Sequence, residues 1–215
     1  MILKSKAIVI KSFSYSESSL ISRLLLESGE KLSIMIKGAK SMKSNKTALF
    51  QSMNFIEFNY YNKDTRDIQL FKEGRLIDDF KFVKNSFHSL AYSLGIIDII
   101  DKVLPNSYQD PQMFNIAFKA LDKINNNEDY KIIFFFFLLS FSHYNGYSIN
   151  TLNINNNNSD KILNCFINNL NKDEYQKIYN DISEIDIDLL IRKSLSFIHS
   201  HIPEISKVKS LKFIN

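Results

Sequence analysis

The stretch KLSIMIK at residues 31–37 alternates apolar and polar side chains with a period of two. Leu32, Ile34 and Ile36 would face one side of a strand, and the residues between them would face the other side. This alternation is typical of a β-strand that is buried on one face only. The stretch therefore predicts such a strand.

Four other stretches among the first 80 residues have a similar pattern. They are AIVIK (7–11), SLISRLLLE (19–27), NFIEFNYY (54–61) and DIQLF (67–71). Turn-forming residues follow SLISRLLLE at Ser28-Gly29 and NFIEFNYY at Asn62-Lys63-Asp64. Five short strands within about 75 residues predict a small closed or nearly closed β-barrel.

From about residue 80 the apolar residues recur with a period of 3.6, which predicts a helical region. A first helix would end before Pro105, and Asp110 followed by Pro111 is typical of the start of a second helix. Residues 129–145 are apolar on nearly all sides, which predicts the central helix of a bundle. Further predictions are a flexible connector at 148–160 and helices at 162–170, from about 171 and at 187–201.

These patterns predict an α+β protein with two domains. A five-stranded barrel would occupy residues 1–79, and an α-helical domain would occupy residues 80–215.

The excess of positive charge lies in the predicted barrel. The formal net charge is +4, and residues 1–80 contain 13 Lys and Arg against 9 Asp and Glu, which accounts for the whole excess (13 − 9 = 4). Residues 31–46 contain five lysines and no carboxylate. Four of these lysines recur at intervals of three after the third strand: Lys37, Lys40, Lys43 and Lys46. Such a run should attract a polyanion, although charge runs also serve only to keep a surface hydrated.

A barrel with a basic connection between its third and fourth strands suits single-stranded nucleic acid. The lysines would follow the phosphates, and exposed aromatic rings would stack on the bases. Alternation places Phe55 and Tyr61 opposite the core face of the fourth strand, and Phe13 and Tyr15 lie in the first loop. These four residues are the candidates for stacking, although an aromatic residue on a strand more often serves in packing.

The chain has no familiar enzyme signature, so the sequence disfavours catalysis and we expect no bound cofactor. A Gly-rich phosphate loop, GxSxG, HExxH and paired cysteines are all missing from it. The single cysteine, Cys165, excludes an intramolecular disulfide and an all-cysteine metal site. Lysines interrupt the first apolar stretch, and the apolar run at 132–141 is much shorter than the roughly 20 residues that a bilayer requires. We therefore expect a cytoplasmic protein.

An ordered series of short motifs resembles the amino-terminal region of the bacterial recombination and repair mediator RecO. That family has an AIVL-type strand, a Y-x-E-S/T stretch, a G-K/R-L strand, a KGA-K/R turn and an AL-Q-P-F segment. The corresponding residues here are 7–10, 15–18, 30–32, 37–40 and 48–53. More loosely, FFFFLLSFSHYNGY at 134–147 is similar to the family's leucine-rich helix ending in Gly-Tyr, and Lys209-Ser210 is similar to its basic C-terminal segment.

The resemblance implies an OB-fold joined to an α-helical domain in a non-enzymatic, nucleoid-associated protein. It implies binding of single- and double-stranded DNA, annealing of complementary strands, and help in loading the RecA recombinase onto DNA coated by single-strand DNA-binding protein. The implied protein partners are that binding protein, through its acidic C-terminal tail, and RecR. The four lysines at Lys37, Lys40, Lys43 and Lys46 would line the DNA face, and Arg23 and Lys11 would extend it.

Two departures limit what the resemblance implies. Many family members carry a four-cysteine zinc module after Gly-Tyr, whereas this chain has SINTLNINNNN, so we expect no bound zinc. The proline of the AL-Q-P-F segment is missing after Gln51, and the Phe-rich helix lacks the charged residues usual in the family. The alternatives from the residues are an RNA-binding OB-fold protein, and a helical adaptor whose basic loop is incidental.

Overall fold

The computed structural model describes residues 1–41, 44–106, 109–147 and 187–214, and five β-strands near its N-terminus close into a barrel. The strands are β1 (Ile2–Ser14), β2 (Leu20–Leu26), β3 (Lys31–Ile36), β4 (Phe55–Tyr61) and β5 (Ile68–Asp78). Their order around the barrel is β1-β2-β3-β5-β4, with β4 paired to β1. Among the strand pairs that the structure describes, only β3 and β5 run parallel. The predicted fold class, an OB-fold followed by helices, is confirmed.

The alternating residues of β3 and β4 fill the interior of the barrel. Ile34 and Ile36 on β3 and Ile56 and Phe58 on β4 are fully or almost fully buried in one apolar cluster. Because the side-chain period of a strand is two, a slip of one residue would turn all of these side chains to the outside. Burial of the apolar set therefore specifies the register of the barrel.

Two strands are longer than their sequence pattern predicts. β5 continues to Asp78, but residues 72–77 are exposed on both faces, so they carry no apolar alternation. These residues are held by antiparallel pairing with β4. β1 also extends beyond the predicted stretch in both directions, through pairing with β4 at its start and with β2 at its end.

The connection between β3 and β4 is folded onto the barrel and contains a short helix, α1 (Lys46–Leu49). The buried Asn54 side chain donates hydrogen bonds to the carbonyl oxygens of Ala48 and Leu49, at 2.9 and 3.0 Å. Phe50 is buried in the barrel cluster, with its ring centroid 5.0 Å from that of Phe71. The segment is therefore anchored by both polar and apolar contacts.

The chain divides into two compact units, Met1–Lys81 with Leu104–Phe118, and Phe82–Val103 with Lys119–Asn215. The barrel unit thus includes a segment that follows the first long helix in sequence. Within this unit, the Lys31 ammonium donates to the carbonyl oxygen of Leu104, and the rings of Phe55 and Phe118 lie 4.9 Å apart. The domain boundary near residue 79 stays a prediction.

The second unit is helical. Its described α-helices are α2 (Phe87–Val103), the later part of α3 (Pro111–Asn125), α4 (Tyr130–Tyr144) and α5 (Ile187–His201). α4 packs against α2 and α5 and is buried continuously from Ile132 to Ser142, as its all-round apolar sequence predicts. The Asp129 carboxylate caps its N-terminus by accepting hydrogen bonds from the backbone N–H groups of Lys131 and Ile132.

The C-terminal segment packs against α2 of the same unit. The Asp98 carboxylate accepts hydrogen bonds from the Lys209 N–H at 3.1 Å and from the N–H and hydroxyl of Ser210 at 3.3 and 3.1 Å. Ile205 and Val208 are buried. Hydrogen bonds to the Asp98 carboxylate and the burial of Ile205 and Val208 therefore hold this segment in place.

Some of the predicted features lie outside the described ranges: the connector at 148–160, the helices at 162–170 and from about 171, Cys165 and Lys43. In the part of the chain that the structure describes, no helix has both the length and the apolarity needed to cross a bilayer.

Candidate nucleic-acid interface

The basic connection after β3 is folded against the turn between β1 and β2. Lys37 and Lys40 are exposed, and Lys46 lies at the start of α1, where its ammonium donates to the carbonyl oxygen of Lys37 at 3.3 Å. The Lys40 ammonium donates to the carbonyl oxygen of Ser16 at 2.8 Å. Three of the four predicted lysines thus lie on one folded segment, and the fourth, Lys43, is not described.

The turn between β1 and β2 (residues 15–19, the β1–β2 turn) carries Tyr15. The Tyr15 N–H donates to the carbonyl oxygen of Ser19 at 3.1 Å, and the Ser19 N–H donates to the Ser16 hydroxyl at 3.2 Å. The Tyr15 side chain is 60% exposed. The turn therefore presents an aromatic ring to solvent next to the basic segment.

A row of four residues in register, two of them cationic, crosses the outside of the barrel. The strand registers pair Lys11 with Arg23, Arg23 with Ser33, and Ser33 with Ile68. Directly paired residues share one side of a sheet, with side chains in contact range. We name these four residues the cationic row. The predicted residues Lys11 and Arg23 are thus brought side by side.

A second row of side chains lies parallel to the cationic row. It consists of five residues in direct register across five strands: Phe13, Ile21, Met35, Leu70 and Tyr61. We name this set the apolar row. Adjacent strands lie about 4.8 Å apart, so the row extends about 19 Å along the sheet. Its end members, Phe13 and Tyr61, are exposed.

The hydroxyl of Ser12 shows which way these rows face. Its oxygen donates a hydrogen bond to the carbonyl oxygen of Phe50 at 2.7 Å and lies 3.0 Å from the hydroxyl of the fully buried Ser22, so Ser12 points into the barrel. Side chains alternate along a strand, so its neighbours Lys11 and Phe13 point outward. Both rows therefore belong to the outer face of the barrel.

The prediction that Phe55 offers a ring for base stacking is wrong. Alternation does place Phe55 opposite the barrel interior, but it is only 8% exposed. Its ring centroid lies 5.9 Å from that of Phe114 and 4.9 Å from that of Phe118. Residues 104–118 cover this part of the outer surface, so Phe55 packs in a second apolar layer.

The predicted site lacks the middle of the apolar row, because it contains only aromatic residues as base contacts. Met35 and Leu70 are partly exposed and stand between the aromatic ends of the row. The alternation of β3 already places Met35 on the outer face. The sequence identifies these residues if every outward-facing apolar residue on neighbouring strands is included, aliphatic as well as aromatic.

The loop between β4 and β5 (residues 62–67) is also missing from the predicted site. The buried Gln69 side chain accepts a hydrogen bond from the Lys63 N–H at 2.9 Å and donates to the carbonyl oxygens of Lys63 and Arg66 at 3.1 and 2.7 Å. In OB-folds this loop borders the ligand face. Gln69 thus holds two further cationic residues, Lys63 and Arg66, in an ordered loop.

The outer surface of β4 has a different electrostatic character. The Glu57 carboxylate pairs with Arg75 at 2.9 Å and with Lys4 at 3.1 Å. The hydrogen bond from Arg75, and then that from Lys4, lowers the pKa of Glu57. These cations are engaged with a carboxylate of the protein itself. The positive charge of Lys4 and Arg75 is therefore partly neutralised by Glu57.

The comparisons with known proteins agree with each other. A family model described as "Recombination protein O N terminal" matches residues 1–80, and one described as "Recombination protein O C terminal" matches residues 84–155. The DNA repair protein RecO of Salinibacter ruber is 28% identical over 124 residues, which cover 58% of this chain and 48% of that protein.

Two other relatives have the same description. The DNA repair protein RecO of Pelodictyon phaeoclathratiforme is 28% identical over 142 residues, 66% of this chain and 54% of that protein. That of Bacillus pumilus is 24% identical over 135 residues, 63% of this chain and 52% of that protein. The chain thus spans about half the length of the curated relatives that it matches.

Proposed function

Because the chain belongs to the RecO family of recombination and DNA repair proteins, we propose that it binds single-stranded DNA on the outer face of its barrel and promotes annealing. The observation that carries this proposal is the cationic row lying beside the apolar row. Phosphates would bind Lys11, Arg23 and Lys37, and bases would stack on Phe13 and Tyr61. Stacking tolerates any base, so the contact would not depend on sequence.

Annealing would follow from neutralisation of phosphate charge. Two complementary strands repel each other until their phosphates are screened or bound. Cationic side chains that bind one strand reduce this repulsion. Annealing by this route requires no covalent step. We therefore propose a mediator that acts by binding rather than by catalysis, and that also binds double-stranded DNA through the same phosphate contacts.

The test of this proposal measures binding and annealing by the full chain. If three cations contact phosphates, the log–log salt slope for labelled oligo-dT should be about −2.1, so binding should weaken roughly 20-fold between 50 and 200 mM salt. Complementary oligonucleotides should pair faster with the protein than without it. Fluorescence anisotropy and quenching of a labelled pair measure the two effects.

The same titrations separate the alternative functions. RNA of the same sequence that binds more tightly than DNA would favour an RNA-binding protein instead, because phosphates and stacking alone do not identify the sugar. If oligo-dT does not bind, or binds with an affinity that does not depend on salt, the basic segment has no role in DNA binding. That result would favour a helical adaptor protein.

The resemblance further supports three protein partners: single-strand DNA-binding protein through its acidic tail, RecR and, indirectly, the RecA recombinase. For the acidic tail, the helical unit offers an exposed aromatic cluster (Phe87, His88, Tyr130 and Phe213). Phe87 and Phe213 are 65% and 59% exposed, with ring centroids 6.4 Å apart. His88 stacks on Tyr130 at 6.1 Å with an interplanar angle of 14°.

Charge near the aromatic cluster suits an acidic peptide with an apolar end. The exposed Lys212 precedes Phe213 directly. The nearby Asp188 carboxylate accepts a hydrogen bond from Lys131 at 2.7 Å, and this bond raises the pKa of Lys131. Lys212 thus places a positive charge beside the exposed rings, and Lys131 offsets the negative charge of Asp188. Exposed apolar surface of this kind commonly marks a binding site.

We expect the double substitution Phe87→Ala/Phe213→Ala to weaken binding of a synthetic peptide of the binding protein's C-terminal tail by about tenfold. Each lost ring contact is worth about 0.5–1.5 kcal/mol beyond area burial. Phe82→Ala is the matched control, since Phe82 is also exposed on this unit, at 64%. Isothermal titration calorimetry measures the three affinities, and equal weakening by the control would contradict this docking surface.

A further inference from the structure

Lys40 bridges two segments of the barrel unit. Its ammonium donates to the carbonyl oxygen of Ser16 at 2.8 Å, and its backbone N–H donates to the carbonyl oxygen of Ser18 at 3.1 Å. Both acceptors belong to the β1–β2 turn. One residue of the basic connection thus holds the turn at two points, with its side chain and with its backbone.

Lys37 differs from Lys40 in this respect. Lys37 directly follows β3 and is exposed, and within the described ranges its side chain makes no hydrogen bond or ion pair. A lysine that is engaged by a backbone carbonyl is oriented by the protein, whereas a solvated lysine is available to a ligand. The two lysines of the Lys-Gly-Ala-Lys sequence therefore do not perform the same task.

The β1–β2 turn matters because of the ring it carries. Tyr15 follows Phe13, an end member of the apolar row, by two positions, and it is the most exposed aromatic side chain of the barrel. A base stacks more tightly on an exposed ring that is already held in place, because ordering a mobile turn costs conformational entropy.

We propose that Lys40 is a positioning residue that orders the β1–β2 turn so that Tyr15 stacks on a base, while Lys37 contacts phosphate. This assignment rests on the proposed binding of single-stranded DNA. It predicts that the two lysines contribute to affinity through different physical effects, and these effects can be measured separately.

The salt dependence of oligo-dT binding distinguishes the two roles. A cation that contacts a phosphate of single-stranded DNA contributes about 0.7 to the slope of log affinity against log salt, because it releases bound counterions. We expect Lys37→Met to reduce the slope by about 0.7. We expect Lys40→Met to weaken binding by about tenfold through lost stacking and to leave the slope at its wild-type value.

A double-mutant cycle with Tyr15→Ala tests the connection to the ring. If Lys40 acts through Tyr15, the tenfold effect of Lys40→Met should disappear in the Tyr15→Ala background. Lys37→Met should weaken binding equally in both backgrounds. Lys40→Arg, which keeps a donor of similar reach, should bind with wild-type affinity, and far-UV circular dichroism checks that each variant is folded.

A fluorescent reporter gives a readout without a change in charge. The chain contains no tryptophan, so Tyr15→Trp places a single indole in the β1–β2 turn. Its steady-state anisotropy in the free protein should fall when Lys40→Met is added and should stay constant when Lys37→Met is added. Quenching by saturating oligo-dT should be smaller only with Lys40→Met.

The outcomes separate this assignment from the proposed function. Wild-type protein that does not bind oligo-dT would overturn both. Wild-type binding, combined with an equal loss of slope in Lys40→Met and Lys37→Met and with additive effects of Lys40→Met and Tyr15→Ala, would overturn the role of Lys40 alone. That result would make Lys40 a phosphate contact.

Discussion

Replacement of Gly29 by alanine is expected to lower the free energy of unfolding by about 4 kcal/mol, which combines the cost of a left-handed residue with that of a clash. Gly29 adopts a φ of +82°, a conformation that residues with a side chain rarely adopt. A Cβ atom there would overlap the carbonyl oxygen of Asp110. Because that oxygen belongs to the backbone, the clash can be relieved only by moving a chain segment.

The consequence reaches beyond the β2–β3 turn. Asp110 lies in the segment 104–118, which is part of the barrel unit and covers Phe55. Its carboxylate also accepts a hydrogen bond from the Gln112 N–H at 2.9 Å at the start of α3. If the segment moves away, apolar contacts of Phe55 are lost together with the turn.

Gly38→Ala is the matched control for this prediction. Gly38 belongs to the same unit and has a φ of +64°, but a Cβ atom added there would meet nothing within 4 Å beyond its chain neighbours. It should lose only the conformational cost, about 1 kcal/mol. Urea unfolding followed by far-UV circular dichroism measures both values. Equal losses in the two variants would show that the approach of Asp110 does not constrain Gly29.

The double substitution Lys11→Glu/Arg23→Glu is expected to weaken binding of oligo-dT about 100-fold at 100 mM salt. The two residues face each other across β1 and β2. Each reversal removes an attraction to phosphate and adds a repulsion, about 1 kcal/mol each at 4 Å in water before screening. Screening reduces the sum to about 3 kcal/mol, which corresponds to the stated factor.

Reversal of charge elsewhere on the barrel unit provides the control. Lys72 and Lys81 are both exposed and lie outside both rows. Lys72→Glu/Lys81→Glu changes the net charge by the same amount and should weaken binding less than about fivefold, through long-range repulsion alone. Anisotropy titrations of the two variants decide between a local and a general effect. Similar losses would mean that net charge, rather than the cationic row, attracts DNA.

The charge-reversed variant also separates DNA binding from partner binding. The aromatic cluster belongs to the helical unit, so Lys11→Glu/Arg23→Glu should bind the acidic tail peptide with wild-type affinity. Annealing of bare oligonucleotides should fall in parallel with DNA affinity. Loss of annealing without loss of binding would require a second DNA site.

The sequence by itself determined the five strands of the barrel, the four long helices that the structure describes, and their order. Alternation in KLSIMIK and NFIEFNYY is a relation between neighbours along the chain, so the buried sides of β3 and β4 follow from it directly. The N-terminal cap at Asp110 and the all-round apolar sequence of α4 are equally local. The five ordered motifs, likewise read along the chain, were enough to indicate the family.

Only the tertiary structure decided which outward side chains remain available. Phe55 and Tyr61 have the same position in the alternation of β4, yet Phe55 is covered by a segment that is distant in sequence, and Tyr61 is exposed. The cationic row and the apolar row exist because register pairs residues of different strands. Lys40 and Lys37 look equivalent in sequence, but a carbonyl oxygen of the β1–β2 turn engages the Lys40 ammonium. The physical reason is common to all three cases, since burial and hydrogen bonding depend on which distant segments fold against a side chain, and local pattern carries no information about that.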